Sequence, residues 1–329
     1  SSLPGASRAT AAADVAADYA AIREAHARGS SAKERVTIAE ARERALKLDF
    51  TTRRPVAPSF VGIRSVDVAI ETLVPYIDWT PFFATWELIG RYPAILTDEK
   101  IGAAAKPLFD DAQAMLKKLI AEGSLKAKGV VGFWPAQSLG DDIVLYKEET
   151  RHYVLTSLHT LRQQIDRKGG GRANVALSDF VSPIGGPKDW VGAFAVTAGI
   201  GEAEIAERYA RANDDYSKIL SQALADRLAE AFAEWLHEKV RKELWGYAPD
   251  EALTPEELIA EKYVGIRPAP GYPAQPDHTE KAVLWKLLDP SHRADITLTE
   301  SFAMHPAASV SGLYFSHPEA HYFGVGKIE

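Results

Sequence analysis

The sequence predicts an α+β domain built round a mostly antiparallel sheet, and three observations predict it. Two short β-rich runs, residues 129–133 and 143–146, are joined by a stretch holding Gly140 and two aspartates, which is a hairpin signal. From Asp214 to Trp245, the residues Tyr216, Leu220, Leu224, Leu228, Ala231 and Trp235 recur at three- and four-residue spacing, as one face of a long helix requires. Strand and helix patterns also fail to alternate in the βαβ rhythm that builds a parallel sheet.

Taken in order, residues 11–48 are rich in Ala, Glu, Arg and Lys, with a thin apolar stripe broken at Gly29-Ser30-Ser31. Two helices with so few core residues suit a linker or docking arm better than a core. The proline-containing stretch 54–58 closes that arm, so the expected division is an arm over 1–59 and a main domain over 60–329. Further strands are expected over 190–197, 309–315 and 322–325. A short helix is written at Thr254-Pro255-Glu256-Glu257, where Thr caps, Pro takes the first helical position and Glu257 completes a capping box.

Composition narrows the function. The 329 residues carry 38 Lys and Arg against 45 Asp and Glu, a net charge of −7, which argues against a nucleic-acid module. Hydrophobic residues at 46% and charged residues at 25% are those of a globular protein. No apolar run reaches the ~18 residues a membrane helix needs, and no signal pattern opens the chain, so a cytoplasmic protein is expected. With no cysteine, disulfides, thiolate nucleophiles and Cys-based zinc sites are excluded. The chain starts at Ser1 and stops just after an apolar, aromatic stretch, which reads as a piece of a longer protein.

Several motifs reduce to structure. Gly199-Ile200-Gly201 lacks the third small residue of a dinucleotide fingerprint and reads as a strand-to-helix turn. Gly169-Gly170-Gly171 lacks the Lys-Ser/Thr ending of a phosphate loop and reads as a surface loop. His317 and His321, around Pro318 and Glu319, are too few ligands for zinc and read as a surface turn between two strands. No GxSxG elbow occurs.

Three features keep two readings each. In residues 265–273 (GIRPAPGYP) three prolines fix an extended backbone and remove three N–H donors. This ribbon either holds Arg267 to grip a carboxylate or merely crosses the surface. Asp78, among the aromatics of Tyr76–Phe83, is a helix cap or a ligand-facing acid. Glu230 lies at the edge of the long helix's apolar stripe, where glutamates are usually solvated.

The stretches IDWTPFF (77–83), ADRLAEAFAE (225–234), RPAPGYP (267–273), TESFAM (299–304) and SVSGLYFSHP (309–318) closely resemble the C-terminal reactivation domain of cobalamin-dependent methionine synthase. The resemblance covers residues 60–329, and the preceding arm looks like the linker from that family's cobalamin-binding module. It implies a C-shaped single domain with a twisted antiparallel sheet. It also implies an S-adenosylmethionine site that takes part in reductive remethylation of inactive cob(II)alamin, with a flavodoxin-type electron donor.

Residue by residue, the resemblance assigns the ligand site to Asp78, Glu230, Glu261, Arg267, Gly271, Tyr272, Tyr322 and Phe323. Tyr314 and Phe315 are the second choice for the late aromatic pair. Gln275 stands where the family commonly has Cys. No catalytic base, nucleophile or metal ligand is assigned. The DxHxxG cobalamin motif is missing, so cobalamin belongs to a neighbouring module and zinc to the homocysteine module. The cobalamin domain of the same polypeptide and the electron donor are the expected partners, the donor docking on Lys117, Lys118, Lys126 and Lys128. Arg267→Ala is expected to remove ligand affinity and leave the fold intact. A stand-alone methyltransferase acting on small molecules and a pure docking module are the alternatives.

Overall fold

The computed structural model describes residues 35–166 and 171–328. Thr37 and Glu40 cap each other's backbone at the start of helix α1 (Ile38–Glu43), and an irregular stretch leads from it to strand β1 (Gly62–Val68). Short helices α2 (Ile70–Leu73) and α3 (Thr80–Thr85) precede α4 (Gly102–Glu122), which stops at Gly123 in the left-handed region. Strands β2 (Lys126–Leu139), β3 (Asp142–Tyr146), β4 (Val154–His159) and β5 (Asp189–Ile200) follow. Then come α5 (Glu202–Arg211) and the long α6 (Asp215–Lys239), which Asp214 caps by accepting from Ser217 N at 3.0 Å. The chain continues through α7 (Pro255–Ile259), α8 (Lys281–Leu288) and α9 (Pro290–Arg293) to the small pair β6 (Thr297–Leu298) and β7 (Met304–His305), then β8 (Ser309–Tyr314).

The main sheet runs β4-β3-β2-β5-β8 and every pairing is antiparallel. β1 pairs with residues 127–133 of β2, on the edge that β3 takes over from residue 136. Side chains alternate across this sheet with the two-residue period of a strand, and both faces are covered. Val131, Phe133, Phe194, Val196 and Ala198 face one core with α4 and α6, whose Leu220, Leu224, Leu228 and Phe232 are buried there. Val130, Trp134, Ala136, Val191, Ala193 and Ala195 face a second core with Leu284, Leu287 and Leu288 of α8. The hairpin, the strand-to-helix turn at Gly201 and the capped α7 stand where the sequence placed them.

Four expectations change. Tyr216, placed on the apolar stripe, is 43% exposed and donates its hydroxyl to Asp111 at 2.7 Å. Residues 322–325 form no strand, because the edge of β8 beside them is already taken by the proline ribbon: Ile266 pairs with Phe315, and Leu313 N donates to Pro268 O at 2.8 Å. The 322–325 segment instead crosses the ribbon, with Val325 N donating to Pro273 O at 2.8 Å. His317 is no surface residue. It is 5% exposed, meets Phe50 edge-on, and accepts at Nδ1 from Glu319 N at 3.1 Å.

The expected arm differs most. Its residues 1–34 lie outside the described residues, as do Gly169 and Gly170 of the expected surface loop. Residues 35–59 carry only α1 as helix and are stitched to the domain. Val36 N donates to Gln164 O at 3.0 Å, Asn174 N to Arg44 O at 2.9 Å, and Trp245 Nε1 to Val56 O at 2.8 Å. Val36, Ala41 and Phe50 are buried, so the thin apolar stripe is used in packing.

Gly312 in β8 shows how tightly the ribbon lies on the sheet. A Cβ there would sit 2.7 Å from Pro268 O and 3.0 Å from Phe194 Cε1. Gly312→Ala should therefore lower stability by about 1–3 kcal/mol, the usual cost of overpacking a close approach. A urea midpoint equal to wild type would show that the ribbon is not held against β8.

Candidate functional site

The ribbon follows β8 for a few residues and then leaves it. Pro268, Pro270 and Pro273 bring no N–H, so the ribbon cannot continue as a ladder strand. After Pro268 it turns: Tyr272 N donates to Ala269 O at 3.1 Å, with Pro270 and Gly271 in the central positions. Gly271 has φ +95°, as the third position of a type II turn requires. His278 fills the space a side chain would need, since a Cβ on Gly271 would lie 2.2 Å from its Cε1.

Where the ribbon turns away from the sheet, a cavity of about 450 Å³ opens. This is within the roughly 300–1,000 Å³ of small-molecule sites. Glu230 reaches it from α6, Glu261 from the end of α7, and Arg267, Ala269 and Tyr272 from the ribbon. Tyr322 and Phe323 come from the crossing segment, and Phe194 and Val310 from the sheet. Glu261 itself adopts a left-handed backbone at φ +54°.

Of the residues singled out in the sequence, Glu230, Glu261, Arg267, Tyr272, Tyr322 and Phe323 share this cavity. Gly271 is not among the lining residues and takes part through the turn that sets Tyr272 there. Asp78 is placed differently: it sits in the turn before α3, where its Oδ1 accepts from Thr80 N at 2.9 Å, and it is not among the lining residues. Tyr314 and Phe315 are fully buried in the sheet, so the second choice for the aromatic pair does not reach the cavity.

Arg267 is held from several sides. Its Nη2 donates to Glu234 Oε2 at 2.7 Å, and its Nη1 lies 3.1 Å from His237 Nδ1 and donates to Tyr263 Oη at 3.1 Å. Its backbone N donates to Tyr322 Oη at 3.0 Å, which is in turn 3.0 Å from Tyr263 Oη. Behind this group, fully buried Arg241 grips Glu251 with Nε and Nη2 at 2.6–3.0 Å and lies 4.5 Å over the Tyr263 ring. Its Nη1 is 4.0 Å from Glu234 Oε1. Burial opposes the charge on Arg267, yet Glu234 outweighs it and holds the guanidinium protonated.

Sequence reasoning missed Glu234, His237 and Arg241, although a signal was there. With Glu230 they stand at i, i+4, i+7 and i+11, one face of a helix, so a single glutamate at the stripe's edge was the start of a polar stripe. Stripes of that kind usually face water. This one is covered by Tyr263 and the ribbon.

His237 is buried completely and stacks on Tyr314 at 5.2 Å, with Tyr263 edge-on at 4.7 Å and Tyr247 Oη 3.5 Å from Nε2. Burial, then the Arg241 and Arg267 charges, push its pKa well below the ordinary 6.5, so the imidazole is neutral and Nδ1 accepts from Arg267. The unfolded chain takes up a proton on His237 below about pH 6.5 and the folded chain does not, so this group's contribution is whole above that pH and falls below it. Wild type should lose up to about 1.4 kcal/mol per pH unit between pH 6 and 5 that His237→Gln does not lose. Parallel stability curves for the two proteins would contradict a neutral buried imidazole.

Among the described residues no group of His, Cys, Asp and Glu is placed to hold a metal ion, and no helix is long and apolar enough to cross a membrane. A crystal structure of the MetH reactivation domain bound to AdoHcy matches with a TM-score of 0.87 and 54% sequence identity, over 89% of this chain and 90% of that one. A family model described as vitamin B12 dependent methionine synthase, activation domain, matches residues 69–329, which takes in every strand of the main sheet but β1, and the cavity. The chain belongs to the family of activation domains of vitamin B12-dependent methionine synthase.

Proposed function

We propose that this chain binds S-adenosylmethionine in the cavity beside Arg267 and presents its methyl group for the reductive remethylation of oxidised cobalamin. The observation that carries the reading is positional: six residues assigned to a ligand site from sequence resemblance line one cavity. The residue types suit the ligand. Arg267 retains Nε–H and one Nη2–H for an α-carboxylate, because its described contacts use three of its five N–H groups. Glu230 and Glu261 offset the ammonium and sulfonium charges or bond the ribose hydroxyls. Tyr272, Tyr322 and Phe323 offer faces to adenine or to the sulfonium, a contact worth about 0.5–2 kcal/mol. Asp78 stays in the reading on resemblance alone, its role at the α3 turn notwithstanding.

Cobalamin, held by a neighbouring module of the same polypeptide, supplies the cobalt that accepts the methyl group. This chain's task is then positioning, and no base or nucleophile of its own is needed. Turnover of homocysteine calls for the other modules, and the isolated chain is not expected to perform it. The electron donor, a flavodoxin-type protein, is expected on a local basic patch. Of the lysines considered, Lys128 is paired with Asp295 at 2.6 Å and Lys118 donates to Tyr209 Oη at 3.2 Å, so exposed Lys117 and Lys126 are the stronger candidates.

Calorimetry with S-adenosylhomocysteine tests the site. Arg267→Ala should lose about 2–5 kcal/mol of binding, roughly 30-fold to several thousand-fold in affinity. The intact fold expected from sequence is not expected from the structure: removing the guanidinium leaves Glu234 without its 2.7 Å partner, so the melting temperature should fall as well. Arg267→Lys keeps the charge and should recover much of the stability but only part of the affinity, because a point charge cannot reproduce the planar fork. Unchanged affinity in both variants would remove Arg267 from the site.

A further inference from the structure

Arg267 meets the cavity with its orientation already fixed. Glu234 and His237 stand three residues apart on α6, so both reach the guanidinium from one helix face, at 2.7 and 3.1 Å. Tyr263 completes the holder from the chain segment after α7, its hydroxyl 3.1 Å from Nη1 and its ring between the two guanidiniums, 4.5 Å from Arg241 and 5.6 Å from Arg267. None of these three residues lines the cavity. They act on it through Arg267.

A hydrogen bond extends the holder to Tyr322. Tyr263 Oη accepts from Arg267 Nη1 and shares a hydrogen bond with Tyr322 Oη at 3.0 Å in which either hydroxyl can donate. Tyr322 Oη also accepts from Arg267 N, so this cavity-lining side chain is tied to both Tyr263 and the ribbon backbone. The neutral state of His237 belongs to the same device, because a protonated imidazole would face Arg267 and Arg241 with a like charge and could no longer accept at Nδ1.

Resting on the functional reading above, we propose that Glu234, His237 and Tyr263 are positioning residues. They aim the Nε–H and Nη2–H of Arg267 at the carboxylate end of the ligand, and so set the preference for a ligand carrying an amino-acid tail. Holding these donors before binding reduces the ordering that association would otherwise require.

The test compares two ligands on one set of variants of the full chain. S-Adenosylhomocysteine carries the carboxylate, and 5′-methylthioadenosine has the same nucleoside and thioether without it. Glu234→Gln and the milder Tyr263→Phe, which keeps the ring, should each weaken S-adenosylhomocysteine about tenfold or more and 5′-methylthioadenosine by less than about twofold. Equal weakening of both ligands would mark the residues as structural supports only, and no weakening of either would remove their role. Wild-type chain that binds no S-adenosylhomocysteine overturns the functional reading instead. The positioning claim is then decided by the Arg267 Nε–H nuclear magnetic resonance signal, assigned with Arg267→Lys. A sharp signal in wild type that broadens in both variants supports the claim, and one unchanged by them overturns it.

Discussion

Four charges alternate in a row through the interior: Glu251, Arg241, Glu234 and Arg267, joined by contacts of 2.6, 4.0 and 2.7 Å. Arg241 is fully buried, and the side chains of Glu251 and Glu234 are 8% and 12% exposed. Taking such groups from water costs several kcal/mol each, so the row is tolerable only while every member keeps its neighbour. Three separate pieces of chain supply it. Glu234 and Arg241 lie on α6 and the turn after it, Glu251 follows in the next loop, and Arg267 comes from the proline ribbon. The row therefore fixes the ribbon against the helix, and the cavity lies between them.

The sheet supports the same point from the other side. Phe194 of β5 stacks on Tyr314 of β8 at 4.7 Å, and Tyr314 stacks on His237 at 5.2 Å. These rings carry the sheet's register to the imidazole that holds Arg267, and Phe194 itself lines the cavity. Proline chemistry and packing then agree on the shape of the opening. The ribbon lacks the donors to stay on β8, and the glycine at 271 lets it turn over His278.

Local signals made much of this legible. The hairpin at Gly140, the capping box at Thr254 and the period of α6 are written in a few neighbouring residues, and the structure has each of them. The 322–325 segment misled because apolar alternation cannot say whether a sheet edge is vacant, and here the ribbon occupies it. Residues 35–59 misled because their ties reach chain far away in sequence, Val36 to Gln164, Arg44 to Asn174 and Phe50 to His317, which no local period reports. At the site, Arg267 and Tyr272 were visible in a distinctive motif. Glu234, His237 and Tyr263 were hidden because their partners lie 4 to 33 residues away and their residue types are ordinary on a helix surface.

On the proposed function, the buried charge row ends on a guanidinium whose remaining N–H groups receive the ligand's carboxylate. A crystal structure of this chain with S-adenosylhomocysteine measures that directly. The carboxylate is expected within about 3 Å of Arg267 Nε or Nη2, with the Glu234 contact to Arg267 kept. A carboxylate turned to solvent, or a ligand seated outside the cavity between α6 and the ribbon, would contradict it.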